Sequence, residues 1–467
     1  MQHMNALDAS FLDVEDSVSH MHIGSIGIFE GPPPPREEAA RWVLGKLPLV
    51  PRYRQTIRRP PLSLGRPVWV DDEHFNLDYH LRRTVLPAPG GEEELRRLVG
   101  RVMSQQLDRD KPLWEMWLVE GVGDGRWALI SKMHHALVDG VAGSDLLSVL
   151  LDRDPRARPP RPTPWRPRPG PGAARLWAGA LAGNLMIPAH VGAAALRAPR
   201  GLPGRAYEAA QGLRGYGSTF APSASSLNGP IGPHRRWTFA RTSLRDVKLV
   251  RSAHGGTVND VVLACIAGGF RDLLMARGES LDRPVRTLVP VSARAEEQHG
   301  ELNNRVTAMF ADLPVETVDP VSRLQAVTRQ MAELKASHEA EAGEALVALA
   351  DVATPPLLLS LGERLATRLP QRGVNTVTTN VPGPRVVLHA CGRRMVEAFP
   401  YVPLGGHVAI GVAIFSYAGT CTFGITGDFD LAPDIDVLAS GIEDAIAELL
   451  ARIPSERETA RAAGRGA

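Results

Sequence analysis

Between Asp152 and Gly172 the chain runs through Pro155-Arg156-Ala157-Arg158-Pro159-Pro160-Arg161-Pro162 and on to Pro171-Gly172. Proline fixes φ and carries no amide donor, so a run this dense cannot enter a helix or the interior of a sheet. It divides the chain into two folding segments, 1–151 and 234–467, with 152–233 as the connection. The length of 467 residues, beyond what one hydrophobic core normally serves, agrees with that division. Apolar residues make up 44% and charged residues 22%, as in an ordinary globular protein.

Charge and cysteine usage exclude several function classes. With 53 basic and 51 acidic side chains the formal balance is +2, which argues against nucleic acid as the partner. Cys265, Cys391 and Cys421 are scattered and odd in number, so neither a disulfide framework nor a zinc ribbon is expected, and a reducing compartment fits. Asp8, Asp13, Glu15 and Asp16 stand where a secretion signal would need a basic start and an apolar core, and a cytoplasmic location is expected.

Within the connection, Leu176 to Leu196 has no charged residue but is interrupted by Gly179, Gly183, Asn184, Pro188 and His190. That dilution favours an interfacial or inter-domain helix between Arg175 and Arg197 over a membrane span. In the first segment Trp127–Met133 reads as a buried strand and Val141–Leu151 as a helix. In the second, a strand at Arg236–Ala240 precedes a helix at Val258–Arg277, which Gly278 stops. Further strands are expected at Arg286–Ser292, Val306–Leu313, Val374–Asn380, Met395–Phe399, Val408–Ser416 and Thr420–Asp428, the last two joined by a turn at Tyr417-Ala418-Gly419. The closing helix, Ile435–Ile453, should bury Leu438, Ile442, Ile446 and Leu449. Mixed strands and helices in both segments make the fold α/β (α+β), twice over.

The chemistry concentrates at His134-His135-Ala136-Leu137-Val138-Asp139-Gly140. The histidines stand where a strand ends and a helix begins, and adjacent strand residues face opposite ways, so one of the two can face a cleft. A neutral imidazole there can take a proton from an alcohol at pH 7. Asp139 suits an N-cap and Gly140 a close backbone approach. A metal site is the competing reading, but neighbouring histidines on opposite faces chelate poorly. Thr257-Val258-Asn259-Asp260 fits a capping box, which is one reading of Asp260 beside a role in the site, while the Asn259 amide can donate a hydrogen bond. Thr376, Thr378 and Asn380 alternate along one strand face before a Pro-Gly-Pro turn. His22 and His407 have no supporting neighbours in the sequence.

These residues together resemble the bacterial wax ester synthase/acyl-CoA:diacylglycerol acyltransferase family, within the coenzyme A-dependent acyltransferase superfamily. The likeness spans nearly the whole chain: Leu7-Asp8-Ala9-Ser10-Phe11, Met21-His22-Ile23-Gly24, Pro112-Leu113-Trp114, the histidine motif, Asn259-Asp260, Pro290-Val291-Ser292 with Arg294, Leu313-Pro314, and Asn380-Val381-Pro382-Gly383-Pro384. Asn303-Asn304 resembles the family's segment as well, with Asn303 where the family commonly has glycine.

The resemblance implies two chloramphenicol-acetyltransferase-like domains facing each other across a central tunnel. It makes His135 the general base, with His134, Asp139 and Asn259 completing the catalytic set. Gly140, Asp260 and Arg294 would support the site, Arg294 by pairing with Asp139. Trp114, Thr378 and Asn380 are candidates for the tunnel wall. The implied reaction moves a long-chain acyl group from acyl-CoA to diacylglycerol, directly and without an acyl-enzyme. Acyl-CoA is then a substrate, and no cofactor or metal is expected. A fatty alcohol is the alternative acceptor, and a non-catalytic lipid-binding scaffold the alternative role. Lipophilic substrates imply a peripheral membrane or lipid-droplet surface, with Leu176–Leu196 and Val347–Leu361 as candidate contacts.

Overall fold

The computed structural model describes residues 2–137, 149–158, 160–182, 185, 225–292, 306–336 and 373–453. The strands in chain order are β1 (Gln2–His3), β2 (His22–Phe29), β3 (Gln55–Arg58), β4 (Val68–Asp71), β5 (Leu81–Val85), β6 (Trp114–Val122) and β7 (Arg126–His134) before the proline-rich segment. After it come β8 (Arg235–Ser243), β9 (Val285–Ser292), β10 (Val306–Leu313), β11 (Thr376–Val381), β12 (His389–Ala390), β13 (Arg393–Tyr401), β14 (Ile410–Tyr417) and β15 (Thr420–Asp428). They form two 6-stranded sheets, β12-β13-β2-β7-β6-β5 and β10-β9-β11-β14-β15-β8, and a 3-stranded sheet, β1-β4-β3.

Local sequence explains much of the second sheet. Tyr417 pairs with Thr420, leaving Ala418 and Gly419 as a two-residue loop with φ of 47° and 87°. Positive φ at both loop positions matches the right-handed twist of the flanking strands. The Val258–Ala276 helix starts at the expected capping box: Thr257 Oγ1 accepts from the Asp260 amide at 3.2 Å, and the Thr257 amide donates to Asp260 Oδ2 at 2.8 Å. It packs with the Ile435–Ala451 helix on the sheet, and Leu438, Ile442, Ile446 and Leu449 are all buried there.

The first sheet is not made from the first segment alone. Residues 389–401, in the segment read as the second domain, cross over: β13 pairs antiparallel with β2 from Met395↔Phe29 to Tyr401↔Gly24. This strand also touches the second sheet, where Thr422 Oγ1 donates to the Ala398 carbonyl at 2.7 Å. Gly424 is obligatory at this seam, since a Cβ there would stand 1.8 Å from the Pro400 carbonyl oxygen. Ile26, Ile28, Leu95, Val99 and Met103 then share one apolar cluster with Trp237, Phe239, Phe399 and Tyr401. The two halves therefore share a core, which their sequence separation conceals.

The proline-rich segment is a strap held on the small sheet. Trp165 Nε1 donates to the Asp72 carbonyl at 2.8 Å, the Arg168 amide to Asp71 Oδ2 at 3.0 Å, and Arg58 Nη1 to the Pro171 carbonyl at 3.3 Å. An extended proline run leaves its carbonyls unpaired, and here a neighbouring arginine finds one of them. The strap begins at Asp152, whose buried carboxylate accepts from Lys46 Nζ at 2.6 Å and Trp42 Nε1 at 3.2 Å. It leads into helical residues 173–182, which bury Leu176 against Val68 and Val70. Among the described residues no helix is long and apolar enough to cross a membrane. The rest of Leu176–Leu196 apart from Leu185, the Val347–Leu361 stretch, Asn303-Asn304 and most of the expected Val141–Leu151 helix lie outside the described residues.

Candidate active site

Strands β2 and β7 run antiparallel with His22 opposite His134, so the end of β7 is also the start of β2. The strand stops there because a side chain takes over the ladder: His134 Nδ1 accepts from the Ala136 amide at 3.1 Å. The His135 amide makes one more inter-strand bond, to the Met21 carbonyl at 2.8 Å, and residues His135–Leu137 turn away as a single 3-10 turn.

The two histidines are separated by this geometry. His134 is fully buried, with Nδ1 occupied and Nε2 at 3.4 Å from Glu15 Oε2. His135 is partly exposed, and its ring lies on the Phe11 ring at 3.8 Å between centroids and 24° between planes. His135 Nδ1 has no hydrogen-bond partner. Loss of hydration pushes the His135 pKa down to about 4, with the neighbouring His134 adding to the effect. The ring is therefore neutral across the physiological range and able to accept a proton.

Behind the pair stands a residue that sequence reasoning counted only as an acidic position near the N-terminus. The Glu15 carboxylate is buried and accepts from Arg109 through Nε at 2.9 Å and through Nη2. It also accepts from the Met21 amide at 3.4 Å and lies 3.4 Å from His22 Nε2. Burial by itself would raise its pKa, but the His134 contact and the Arg109 charge hold it well below the usual carboxylate range. His22 thus has the neighbours that the sequence did not reveal; burial pushes its pKa down to about 3. The only sequence signal for this cluster was that Phe11, Met21 and His22 lie in the opening motifs.

The second group of candidates meets at the end of β11. Asn380 Nδ2 donates to Asn259 Oδ1 at 3.1 Å, joining the strand to the first turn of the Val258–Ala276 helix. Thr378 is buried and its hydroxyl accepts from Thr287 Oγ1 at 2.8 Å, while Thr376 Oγ1 donates to the Ile410 carbonyl at 2.7 Å. β11 is an inner strand, parallel to both β9 and β14, and not a polar edge. Thr376 and Thr378 are tolerated inside because each of their hydroxyls is paired. The Pro-Gly-Pro turn that follows is pressed on β14, since a Cβ at Gly383 would lie 1.9 Å from the Ser416 carbonyl oxygen. Val381, Phe415 and Tyr417 belong to the same apolar cluster as Met133, Ala136 and Leu137, which flank His135.

Trp114 takes a packing place. It is 1% exposed, its ring stacks between Tyr53 at 4.7 Å and His80 at 4.5 Å, and its Nε1 donates to the Tyr53 carbonyl at 2.9 Å. With the ring enclosed and its N–H paired, the side chain has no face left for a tunnel wall. Asp260 is accounted for by the capping box. Asp139, Gly140 and Arg294 lie outside the described residues. Among the described residues, no group of three histidine, cysteine or acidic side chains could hold a metal ion.

Comparison with known proteins places this geometry. Residues 4–262 match the model of the wax ester synthase/diacylglycerol acyltransferase catalytic domain, and residues 302–450 that of the WS/DGAT C-terminal domain. The probable diacylglycerol O-acyltransferase tgs1 of Mycobacterium tuberculosis is 39% identical, with 99% of each chain covered. The wax ester synthase/diacylglycerol acyltransferase from Marinobacter aquaeolei VT8 superposes with a TM-score of 0.68 at 25% identity, covering 96% of this chain and 98% of that one. The first condensation domain of the calcium-dependent antibiotic synthetase shares the fold, with a TM-score of 0.60 at 17% identity and 96% of each chain covered.

Proposed function

The chain belongs to the wax ester synthase/diacylglycerol acyltransferase family, and from that premise we propose that it moves a long-chain acyl group from acyl-CoA to diacylglycerol, with His135 as general base. The observation that carries the assignment of the base is the contrast within the pair: His134 is fully buried with Nδ1 taken by the Ala136 amide and Nε2 3.4 Å from the Glu15 carboxylate, whereas His135 is partly exposed and neutral with Nδ1 unpartnered. His135 takes the proton of the acceptor hydroxyl as its oxygen attacks the thioester carbonyl. Collapse of the tetrahedral intermediate breaks the C–S bond, and the proton passes to the departing CoA sulfur. Acyl-CoA is a substrate, and the reaction requires no resident cofactor.

Asn259 suits the developing oxyanion. Its Oδ1 is taken by Asn380, so its Nδ2 is the side-chain atom left to donate. Asp139, paired with Arg294, would orient the loop after His135. The test is CoA release by His135→Ala: activity close to that of the parent protein would sink the assignment.

A fatty alcohol is the competing acceptor, because the Marinobacter neighbour is named for both activities. Labelled acyl-CoA offered to diacylglycerol and to hexadecanol side by side decides between them. The reaction would take place at a lipid surface. The strap exposes Arg156, Arg158 and Arg161, and beyond it Leu181 and Leu185 point outward, 51% and 80% exposed. Basic and apolar side chains in succession suit an interfacial contact. Replacing Leu181 and Leu185 by glutamine should weaken binding to phospholipid vesicles, and unchanged binding would remove this face from consideration.

A further inference from the structure

Glu15 touches the surroundings of His135 by three separate routes. It is the C-cap of the Ala6–Val14 helix, which carries the Phe11 ring that lies on His135. Its Oε1 receives the Met21 amide, and the Met21 carbonyl in turn holds the His135 amide. Its Oε2 faces His134 Nε2 at 3.4 Å. Because His134 Nδ1 accepts from the Ala136 amide, the ring proton must sit on Nε2, on the side of the carboxylate. The tautomer of His134 and the start of the His135 turn are therefore one arrangement.

Resting on the reading of His135 as base, we propose that Glu15 is a positioning residue for it, acting through His134, Met21 and the Phe11 helix. Arg109 supplies the balancing charge and ties the helix end as well, donating to the Leu12 carbonyl at 3.1 Å. The other ionisable groups around the carboxylate are His22, His134, His20 and Lys132. Glu15 itself does not reach substrate. Its part is to fix a proton at His134 Nε2, so that Nδ1 stays free to cap the turn. A carboxylate does this and an amide does not, because an amide offers an N–H as readily as an oxygen. The role parallels the acceptor that fixes the tautomer of a ligating or catalytic histidine elsewhere.

The experiment compares Glu15→Gln, Glu15→Asp, Arg109→Gln and His135→Ala in the full chain, reading kcat and KM for acyl-CoA, the melting temperature, and the ring ¹⁵N signals of His134. Displacing a catalytic group by about 1 Å can cost on the order of 100-fold in rate, so E15Q should lose up to about that much in kcat. KM for acyl-CoA should stay within about two-fold, because uniform binding is untouched. The His134 ring signals should lose the Nε2–H pattern. E15D keeps the charge but draws it back, and should fall between E15Q and the parent. R109Q loses the ion pair while keeping the His134 contact, and should lower the melting temperature more than kcat. Parent-like kcat in folded E15Q would overturn the proposal. So would equal losses of kcat in E15Q and R109Q, which indicate a merely structural ion pair. If E15Q does not fold, E15D decides: full activity with unchanged His134 signals overturns the proposal, and reduced kcat at unchanged KM supports it. Should His135→Ala remain active, the base lies elsewhere and the proposal falls with that reading.

Discussion

The turn after β7 is surrounded by ionisable groups, whereas the end of β11 is surrounded by neutral amides and hydroxyls. At the first, Glu15, His22 and His134 are buried behind His135, and the partly exposed Arg109 closes the cluster. At the second, Asn259, Asn380, Thr287 and Thr378 hold one another by uncharged hydrogen bonds. A neutral hydrogen bond contributes only about 1 kcal/mol net, and losing both partners costs little. A buried charged cluster tolerates less: removing one member leaves the others desolvated and unpaired, at about 3–5 kcal/mol. The first region is thus held together by buried charge, and the second by neutral dipoles.

Breaking the first region at its centre should have the largest effect. His135→Ala is expected to lower kcat/KM by on the order of 10²–10⁴, the usual contribution of a general base, with folding retained. Stopped assays of CoA release measure this, and a loss under ten-fold would put the base elsewhere. Asn259→Ala at the second region should lower kcat by about 10²–10³ if its amide meets the oxyanion, and hardly at all if it only braces Asn380. Kinetics with saturating acyl-CoA distinguish these outcomes.

The pH dependence sharpens the contrast further. With the His135 pKa held at about 4, kcat/KM should stay level as the pH falls from 8 to about 5, since that parameter follows the free enzyme. An acid limb near the ordinary histidine value of about 6.5 would contradict the environment described for the ring. Stability should behave differently. His22 and His135 are lowered in the folded chain to about 3 and about 4, so the unfolded chain binds more protons between those values and the ordinary histidine value of 6.5. Their contribution is complete above pH 6.5 and is lost as the pH falls toward 4. Glu15 is lowered too, so its contribution is lost only below the ordinary glutamate value of 4.5. Melting temperatures from pH 7.5 to 4.5 should therefore decline, and a flat profile would count against the buried cluster.

The smallest effect belongs to the threonine pair. Thr378→Val alone leaves the Thr287 hydroxyl without its acceptor, at about 1–3 kcal/mol, whereas the double change to valine should be nearly neutral. Chemical denaturation of the three variants tests that non-additivity.

What could be read locally was read well. β10 and β15 occur at the expected residues, Val306–Leu313 and Thr420–Asp428. The Thr257 capping box and the two-residue turn at Ala418-Gly419 also appear where expected, because each depends on residues within a few positions. The long-range contacts were not legible. Glu15 and His134 come together only because β2 and β7 pair, and no periodicity in either stretch announces it. Trp114, placed on a tunnel wall by resemblance, is stacked in the core between Tyr53 and His80. The strap residue Trp165 packs under Arg54 at 4.9 Å, a contact that proline density alone, which marks only a linker, does not reveal.

By itself the sequence determined the element types, the acyltransferase family and the base-capable pair at the end of a strand, since these depend on local pattern and on motifs preserved as strings. Tertiary structure decided which histidine is enclosed and which is open, what holds the enclosed one, and that β13 from beyond the connection completes the first sheet. The physical reason is the same in each case. Burial, proton placement and sheet partnership are properties of the space between distant segments, and that space exists only once the strands have paired.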